Sequence, residues 1–137
     1  MGLFHRSGGY SVFIPEIDAE HKAAFKLVDE LAAALNSRVR GARGKALESL
    51  LARLEDHFAH EERLMRESGY DAFEWHKGQH DGARRKVKRF ARRIEEGDRK
   101  AGGELIEYLA SWLQSHVSVT DRMMAAYLRN FERRRAA

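Results

Sequence analysis

Apolar residues recur at alternating steps of three and four positions through four long stretches of the chain, and this periodicity most limits its fold. In the first stretch the apolar members of the stripe are Ala24, Val28, Leu31 and Leu35. Such steps place successive side chains on one face of an α-helix, so each stretch predicts an amphipathic helix. Four helices of this kind joined by short loops favour an all-α fold, an up-down-up-down four-helix bundle.

Glycine and proline residues mark the ends of these stretches. Pro15 precedes the first helix, for which Asp18 is the predicted N-cap, and Asp71 with Glu74 predicts a capping box at the third. Gly69 is predicted to end the second helix. The chain of 137 residues then forms one domain, residues 1–137, with an extended N-terminal arm over residues 1–17 and helices over about 18–38, 44–68, 71–96 and 103–132.

Five histidines and one glutamate interrupt the apolar stripes: His21, His57, Glu61, His76, His80 and His116. A buried polar group that lacks a partner costs roughly 1–3 kcal/mol. One buried histidine is usually satisfied by a hydrogen bond, but five histidines from four helices are difficult to pair. A shared cation would bind the imidazole lone pairs and neutralise the carboxylate. The spacings of His57 to Glu61 and of His76 to His80 also put each pair on one helix face.

Asp121 lies five residues after His116, which is about 140° further round an ideal helix. For both side chains to reach one centre, Asp121 must approach from the edge of the stripe, or the helix must contain a π-bulge. Such bulges are frequent at functional sites.

These side chains together supply five imidazoles and two carboxylates. A single tetrahedral zinc ion would use only four of the seven groups. Two octahedral ions, bridged by both carboxylates and by one solvent-derived group, would use all seven and leave one position open for a small ligand. Carboxylate bridges within a helical bundle are typical of di-iron proteins, so iron is the predicted metal.

Composition excludes several classes of site. The chain has no cysteine, which rules out disulfides, thiolate-held iron–sulfur clusters and cysteine-ligated haem. No apolar run approaches the roughly 18 residues that span a bilayer, and residues 1–10 do not resemble a signal peptide, so a cytoplasmic protein is expected. The net charge of +4 is modest, and the basic run from Arg84 to Arg93 is interpreted as a solvated helix face. Neither nucleic acid nor a membrane is therefore a predicted partner.

Four segments of the chain resemble the hemerythrins, specifically the small single-domain proteins of bacteria. The matching segments are IDAEHK at 17–22, HFAHEE at 57–62, GY at 69–70 followed by HKGQH at 76–80, and WLQSH at 112–116 together with Asp121. The resemblance extends over about residues 10–128, and all seven ligand positions of the family hold the expected residue type.

The resemblance implies roles that spacing alone does not assign. One iron would be held by His76, His80 and His116, and the other, which keeps a vacant position for oxygen, by His21 and His57. Glu61 and Asp121 would bridge the two irons with an oxo or hydroxo group, and the residues that line the oxygen pocket would be Phe25, Trp112 and Leu113. The implied protein is a monomer that binds molecular oxygen reversibly, for storage, delivery or sensing, and is not an enzyme.

The sequence departs from the family pattern at Phe13, where glycine is usual, at Glu20, where glutamine is usual, and at Ala83, where a larger residue is common. Two other functions stay open. A di-iron enzyme that handles peroxide or nitric oxide would need a general acid, yet His60 and Glu62 are expected to face outward. A sensor module would require a protein partner.

Overall fold

The computed structural model describes residues 10–137, and the regular elements of this part are all helical. In chain order they are α1 (Pro15–Leu35), α2 (Ala42–Ser68), α3 (Phe73–Glu95), α4 (Ala101–Ser115), a π-helical segment (His116–Asp121) and α5 (Arg122–Ala136). Since α4, the π-helical segment and α5 follow one another without a break, they form one long rod. The predicted all-α four-helix bundle is confirmed.

The first helix begins three residues earlier than predicted, at Pro15. The fixed φ of proline suits the first helical position, where its missing N–H is not needed. Asp18 is therefore not the N-cap; its carboxylate accepts hydrogen bonds from the hydroxyl of Ser11 and the backbone N–H of Val12, both at 2.8 Å. The arm thus ends at Ile14 rather than at residue 17 and is bonded to the helix that follows it. The part of the predicted arm at 1–9 lies outside the described residues.

The predicted capping box of the third helix is absent. The N-cap of α3 is Ala72, and no side chain caps this end. Backbone hydrogen bonds form the turn instead, from the N–H of Phe73 to the carbonyl of Tyr70 (3.2 Å) and from the N–H of His76 to that of Ala72 (3.0 Å). Neither Asp71 nor Glu74 is therefore needed as a cap, and the helix begins two residues later than predicted.

The second helix ends at Gly69, as predicted. Gly69 adopts φ +70°, a left-handed conformation that costs other residues more than glycine. Its N–H donates to the carbonyl of Arg66, and the N–H of Tyr70 donates to that of Met65, a pattern that satisfies the last carbonyls of the helix. This turn places the side chain of Tyr70 in the interior of the bundle.

The buried apolar residues form two clusters, one toward each end of the bundle. The larger cluster contains Phe25, Leu54, Phe58, Ala83 and Leu113 among its members. The smaller contains Val12, Ile17, Met65, Tyr70, Met124, Ala125 and Leu128. Along each of the four rods, the buried histidines and buried acids fall between a member of one cluster and a member of the other. A polar layer therefore crosses the whole bundle. No helix in the described range is long and apolar enough to span a membrane.

Candidate metal centre

The seven predicted ligand side chains all lie in this polar layer, and none is more than 3% exposed. One comes from α1, two each from α2, α3 and the π-helical segment: His21, His57, Glu61, His76, His80, His116 and Asp121. Seven polar side chains with this degree of burial require compensation from one another or from a bound cation.

The imidazole Nε2 atoms lie close to the two carboxylates. Asp121 oxygens lie 2.9 Å from Nε2 of His21, 3.0 Å from that of His76 and 3.1 Å from that of His116. Glu61 oxygens lie 3.1 Å from Nε2 of both His57 and His80. The five rings therefore surround two central acids.

The ligand atoms divide into two overlapping groups, and within each group they lie within 4.8 Å of one another. One group contains three histidines and the other contains two, while both carboxylates belong to both groups: Glu61, His76, His80, His116 and Asp121 in the first, and His21, His57, Glu61 and Asp121 in the second. Two adjacent cation positions that share two carboxylates fit this arrangement. The division agrees with the one that the family resemblance implies.

The π-helical segment explains how Asp121 reaches the centre. A π turn contains one extra residue, so the five positions from His116 to Asp121 cover about the angle that four positions cover in an α-helix. The two side chains consequently share one face, as His57 and Glu61 do on α2. The hydroxyl of Ser118 donates to the carbonyl of Gln114 at 2.6 Å, and so satisfies one backbone acceptor beside the bulge. Of the two geometries that the sequence left open, the structure has the bulge.

Unsatisfied polar atoms give an independent test of whether these residues fit a metal. Within the described part of the chain, the close contacts at the centre do not have hydrogen-bond geometry, so both ring nitrogens of His21 and His76 and both carboxylate oxygens of Glu61 and Asp121 have no hydrogen bond. Nε2 of His80 also lies only 3.2 Å from Nε2 of His116, although two neutral imidazoles can share only one proton there. Cations at the centre would accept lone pairs from the inward-facing Nε2 atoms and from the carboxylate oxygens. The donor set therefore fits bound metal.

Without metal, protons take over part of this role. Burial opposes the charged imidazolium of His57, but the carboxylates of Glu61 and Glu20 outweigh it and raise the pKa of His57 to about 10. The pKa of His76 is raised to about 9, because Asp121 and Glu61 likewise outweigh burial. Burial would raise the pKa of the Glu61 carboxyl, yet the surrounding histidines hold it well below its usual value. Metal that binds here must displace protons from the histidines.

The outer nitrogens of three rings are held by residues that the sequence reasoning did not assign. Nδ1 of His57 lies 2.7 Å from a carboxylate oxygen of Glu20, whose other oxygen lies 2.7 Å from Nδ1 of His60. His60 is partly buried against Glu20 and does not face outward as expected. Nδ1 of His116 lies 2.8 Å from Oε1 of Gln79, which also accepts a hydrogen bond from the hydroxyl of Thr120.

The expectation that Glu62 faces outward is wrong. Glu62 is 5% exposed, and its carboxylate lies 2.8 Å from Nδ1 of His80. The guanidinium of Arg84 donates to the same carboxylate at 2.7 Å. Glu20, Glu62 and Gln79 each sit next to a ligand in sequence, and a neighbouring residue lies about 100° round the helix, toward the adjacent helix. That adjacency is the feature from which they could have been found.

Two of the three predicted pocket residues are deeply buried. Phe25 and Leu113 belong to the larger apolar cluster and are 3% and 2% exposed. Trp112 is only partly buried and stacks on the ring of His116, with centroids 4.2 Å apart. Phe58, which the sequence reasoning did not assign to the site, stacks on His80 at the same distance. Aromatic faces therefore cover two of the three rings in the three-histidine group.

Comparisons with known proteins agree with this geometry. The family model of the hemerythrin HHE cation binding domain matches residues 12–128. A bacteriohemerythrin of Ralstonia nicotianae is 32% identical over 111 residues, which cover 81% of this chain and 78% of that protein. A bacteriohemerythrin of Stenotrophomonas maltophilia is 30% identical over 137 residues, which cover 97% of this chain and 89% of that protein.

Solved structures share the same architecture. The crystal structure of a hemerythrin point mutant superposes with a TM-score of 0.77 over 84% of this chain and 88% of that chain, at 24% sequence identity. This likeness concerns the fold. The extent of the family match and the identity to the bacterial relatives together establish that the chain belongs to the hemerythrin family.

Proposed function

We propose that this chain binds molecular oxygen reversibly at a non-haem di-iron centre. The observation that carries the proposal is the pair of overlapping ligand groups that share Glu61 and Asp121. One group offers three imidazoles and the other two, so the two metals would have unequal numbers of protein ligands. The metal with fewer protein ligands would keep a position for a small molecule.

The donor set favours iron. Imidazole nitrogen with carboxylate oxygen suits iron, copper, zinc or nickel, and bridging carboxylates in a helical bundle are typical of di-iron proteins. His76, His80 and His116 would hold one ion, and His21 and His57 the other. When bound, a pair of ferrous ions supplies the open coordination position and the electrons with which oxygen is held.

The surrounding residues protect such a centre from water. Phe25 and Leu113 lie one helical turn from His21 and His116 and belong to the larger apolar cluster. In this environment few protons reach the site, which favours release of oxygen over its further reduction. Glu62, the buried acid beside the ligands, is tied to His80 and Arg84 and is not a free general acid. These features support oxygen carriage by a protein without enzymatic activity; monomeric state and cytoplasmic location remain predictions.

Oxygen cycling tests the proposal. Protein reconstituted with ferrous iron without oxygen should bind two irons per chain, gain a visible absorption band in air and lose it under vacuum through several cycles. Irreversible oxidation with turnover of peroxide would contradict carriage and support the enzyme alternative.

Two histidines on α2 provide a matched pair of variants. His57→Gln removes a proposed ligand and should abolish cycling and reduce the iron content. His60→Gln changes a neighbouring histidine that does not face the centre and should retain two irons per chain. Equal losses in the two variants would contradict the ligand assignment.

A further inference from the structure

We propose that Glu20 is a positioning residue that lowers the reduction potential of the metal held by His21 and His57. This proposal rests on the function proposed above and concerns the same site. Glu20 precedes the proposed ligand His21 on α1, and its carboxylate lies beside the ring of the other proposed ligand, His57.

The geometry of His57 connects Glu20 to the centre. Nε2 of the ring faces inward and lies 3.1 Å from the Glu61 carboxylate, while Nδ1 faces outward and lies 2.7 Å from Oε1 of Glu20. With Nε2 bound to metal, the ring proton is carried by Nδ1, which donates it to the Glu20 carboxylate. A carboxylate that accepts this hydrogen bond makes the imidazole a stronger donor to its metal. A stronger donor stabilises the ferric ion relative to the ferrous ion.

The groups that contact Nδ1 of the other histidine rings carry less negative charge than Glu20 does. Nδ1 of His116 meets the neutral amide of Gln79. Nδ1 of His80 meets Glu62, but Arg84 donates two hydrogen bonds to that carboxylate and offsets its charge. The partners of Glu20 in the described structure are His57 and His60, with no lysine or arginine among them. The carboxylate without a guanidinium or ammonium partner therefore lies behind the two-histidine metal.

The consequence is an electronic difference between the two metals. The two-histidine metal would have fewer nitrogen donors, and its proposed ligand His57 is backed by a carboxylate that no arginine or lysine contacts. Since this metal would keep the position for oxygen, Glu20 should strengthen oxygen binding at the cost of easier oxidation. Mutation of a residue that holds the outer nitrogen of a ligand histidine typically costs about 10–100-fold in metal affinity or activity.

The variant Glu20→Gln keeps the shape and the hydrogen-bond acceptor but removes the charge. In the iron-loaded protein we expect the midpoint potential of one of the two irons to rise, by about 59 mV for a tenfold change in the ferric–ferrous equilibrium. Iron content should stay at two per chain, which separates this effect from loss of a ligand. An unchanged potential would overturn the proposal.

Gln79→Glu is the reciprocal variant, since it introduces a carboxylate behind His116 of the three-histidine metal. The midpoint potential of the three-histidine metal should fall in this variant, which is opposite in sign to the change expected in Glu20→Gln. A change of the same sign in both variants would indicate a general disturbance of the fold and would contradict the proposal.

A second readout does not depend on iron chemistry or on oxygen. In protein loaded with zinc, the Nδ1 proton of His57 should resonate far downfield in the NMR spectrum, and it should move upfield in Glu20→Gln. If this proton does not respond to the substitution, the proposal fails even where oxygen cycling succeeds. If the proton responds but the wild-type protein does not release oxygen, the proposed function fails while the contact with Glu20 stands.

Discussion

His57 is fixed at both ends of its ring, by Glu61 on the inside and by Glu20 on the outside. Two carboxylates beside one imidazole favour a positive charge at its ring nitrogens, which either a proton or a metal ion can provide. The same competition applies to His76, which lies against Glu61 and Asp121. Protonation and metal binding are therefore alternatives at this site.

The metal-free protein should lose stability as the pH rises. The pKa values of His57 and His76 are about 10 and 9 in the folded chain, above the value of about 6.5 expected in the unfolded chain. Groups with raised pKa values stabilise the fold fully below pH 6.5, and this contribution disappears as the pH passes through 9 to 10. Urea unfolding of metal-free protein should show a falling free energy of unfolding between pH 7 and pH 10.

Metal-loaded protein is the control for this measurement, because bound metal replaces the protons. Its free energy of unfolding should change less over the same range. A metal-free protein whose stability is constant or rises toward pH 10 would contradict the assigned pKa shifts.

Leu113→Ala should accelerate irreversible oxidation of the iron-loaded protein by about tenfold or more. Leu113 is 2% exposed and lies one turn before His116, so the truncation gives water access to the centre. Leu109→Ala is the matched variant: Leu109 is fully buried in the same helix but one turn further away. Both truncations should cost roughly 2–5 kcal/mol of stability. Equal oxidation rates in the two variants, measured from the decay of the visible band, would contradict a protective role for Leu113.

At the scale of secondary structure, the π-helical segment is the feature on which the centre most depends. Removal of Ser118 would place Asp121 four positions after His116, a spacing that an ordinary α-helix brings to one face. We expect this deletion variant to retain two irons per chain with a modest loss of stability. The measurement is iron content after reconstitution.

Insertion of one alanine after Ser118 is the opposite change. It would rotate Asp121 and the buried face of α5 by about 100°. This variant should lose iron and unfold at a lower temperature. An insertion variant that binds iron better than the deletion variant would contradict the role given to the bulge.

Two exposed glycines should respond oppositely to replacement by alanine. Gly69 has a left-handed φ of +70°, so Gly69→Ala should destabilise the protein by roughly 1–2 kcal/mol. Gly78 lies in α3 with no neighbouring atom within 4 Å of an added Cβ, so Gly78→Ala should stabilise it by about 1 kcal/mol. Thermal unfolding measures both shifts. Stabilisation by Gly69→Ala would contradict the conformation assigned to the end of α2.

Helix identity was predictable from the sequence, whereas helix starts were less so. The stripes extend over many turns, and the positive φ needed after α2 made Gly69 a reliable end. The starts depended on local alternatives: Asp18 bonds to the arm instead of capping α1, and backbone turns replace the predicted box at Asp71 and Glu74. Side chains that can bond in several local patterns do not fix a helix start by themselves.

At the scale of the whole molecule, the centre forms the polar layer between two apolar clusters. The larger cluster includes Phe25, Ala83 and Leu113, and the smaller includes Ile17 and Met124. Each rod contributes residues to both clusters and at least one ligand to the layer between them. Packing of the two apolar clusters therefore brings ligands from all four rods to the same level along the axis of the bundle.

The inner ligands could be predicted because polar residues within an apolar stripe must face the interior. Adjacency to a ligand marks their outer partners Glu20, Glu62 and Gln79 only weakly, because these residues lie beside the stripe and would be ordinary surface residues on an isolated helix. Only the position of the neighbouring helix turns them toward His57, His80 and His116. The sequence of a helix shows which of its faces is apolar, but the rotation of the helix relative to its neighbour depends on how the two pack together.

Metal content tests the central claim most directly. Protein purified without metal, reconstituted with ferrous iron in the absence of oxygen and then freed of unbound iron should contain two iron ions per chain. Asp121→Ala, which removes a carboxylate common to both ligand groups, should contain fewer. A wild-type chain that retains one ion or none under these conditions would contradict the paired centre.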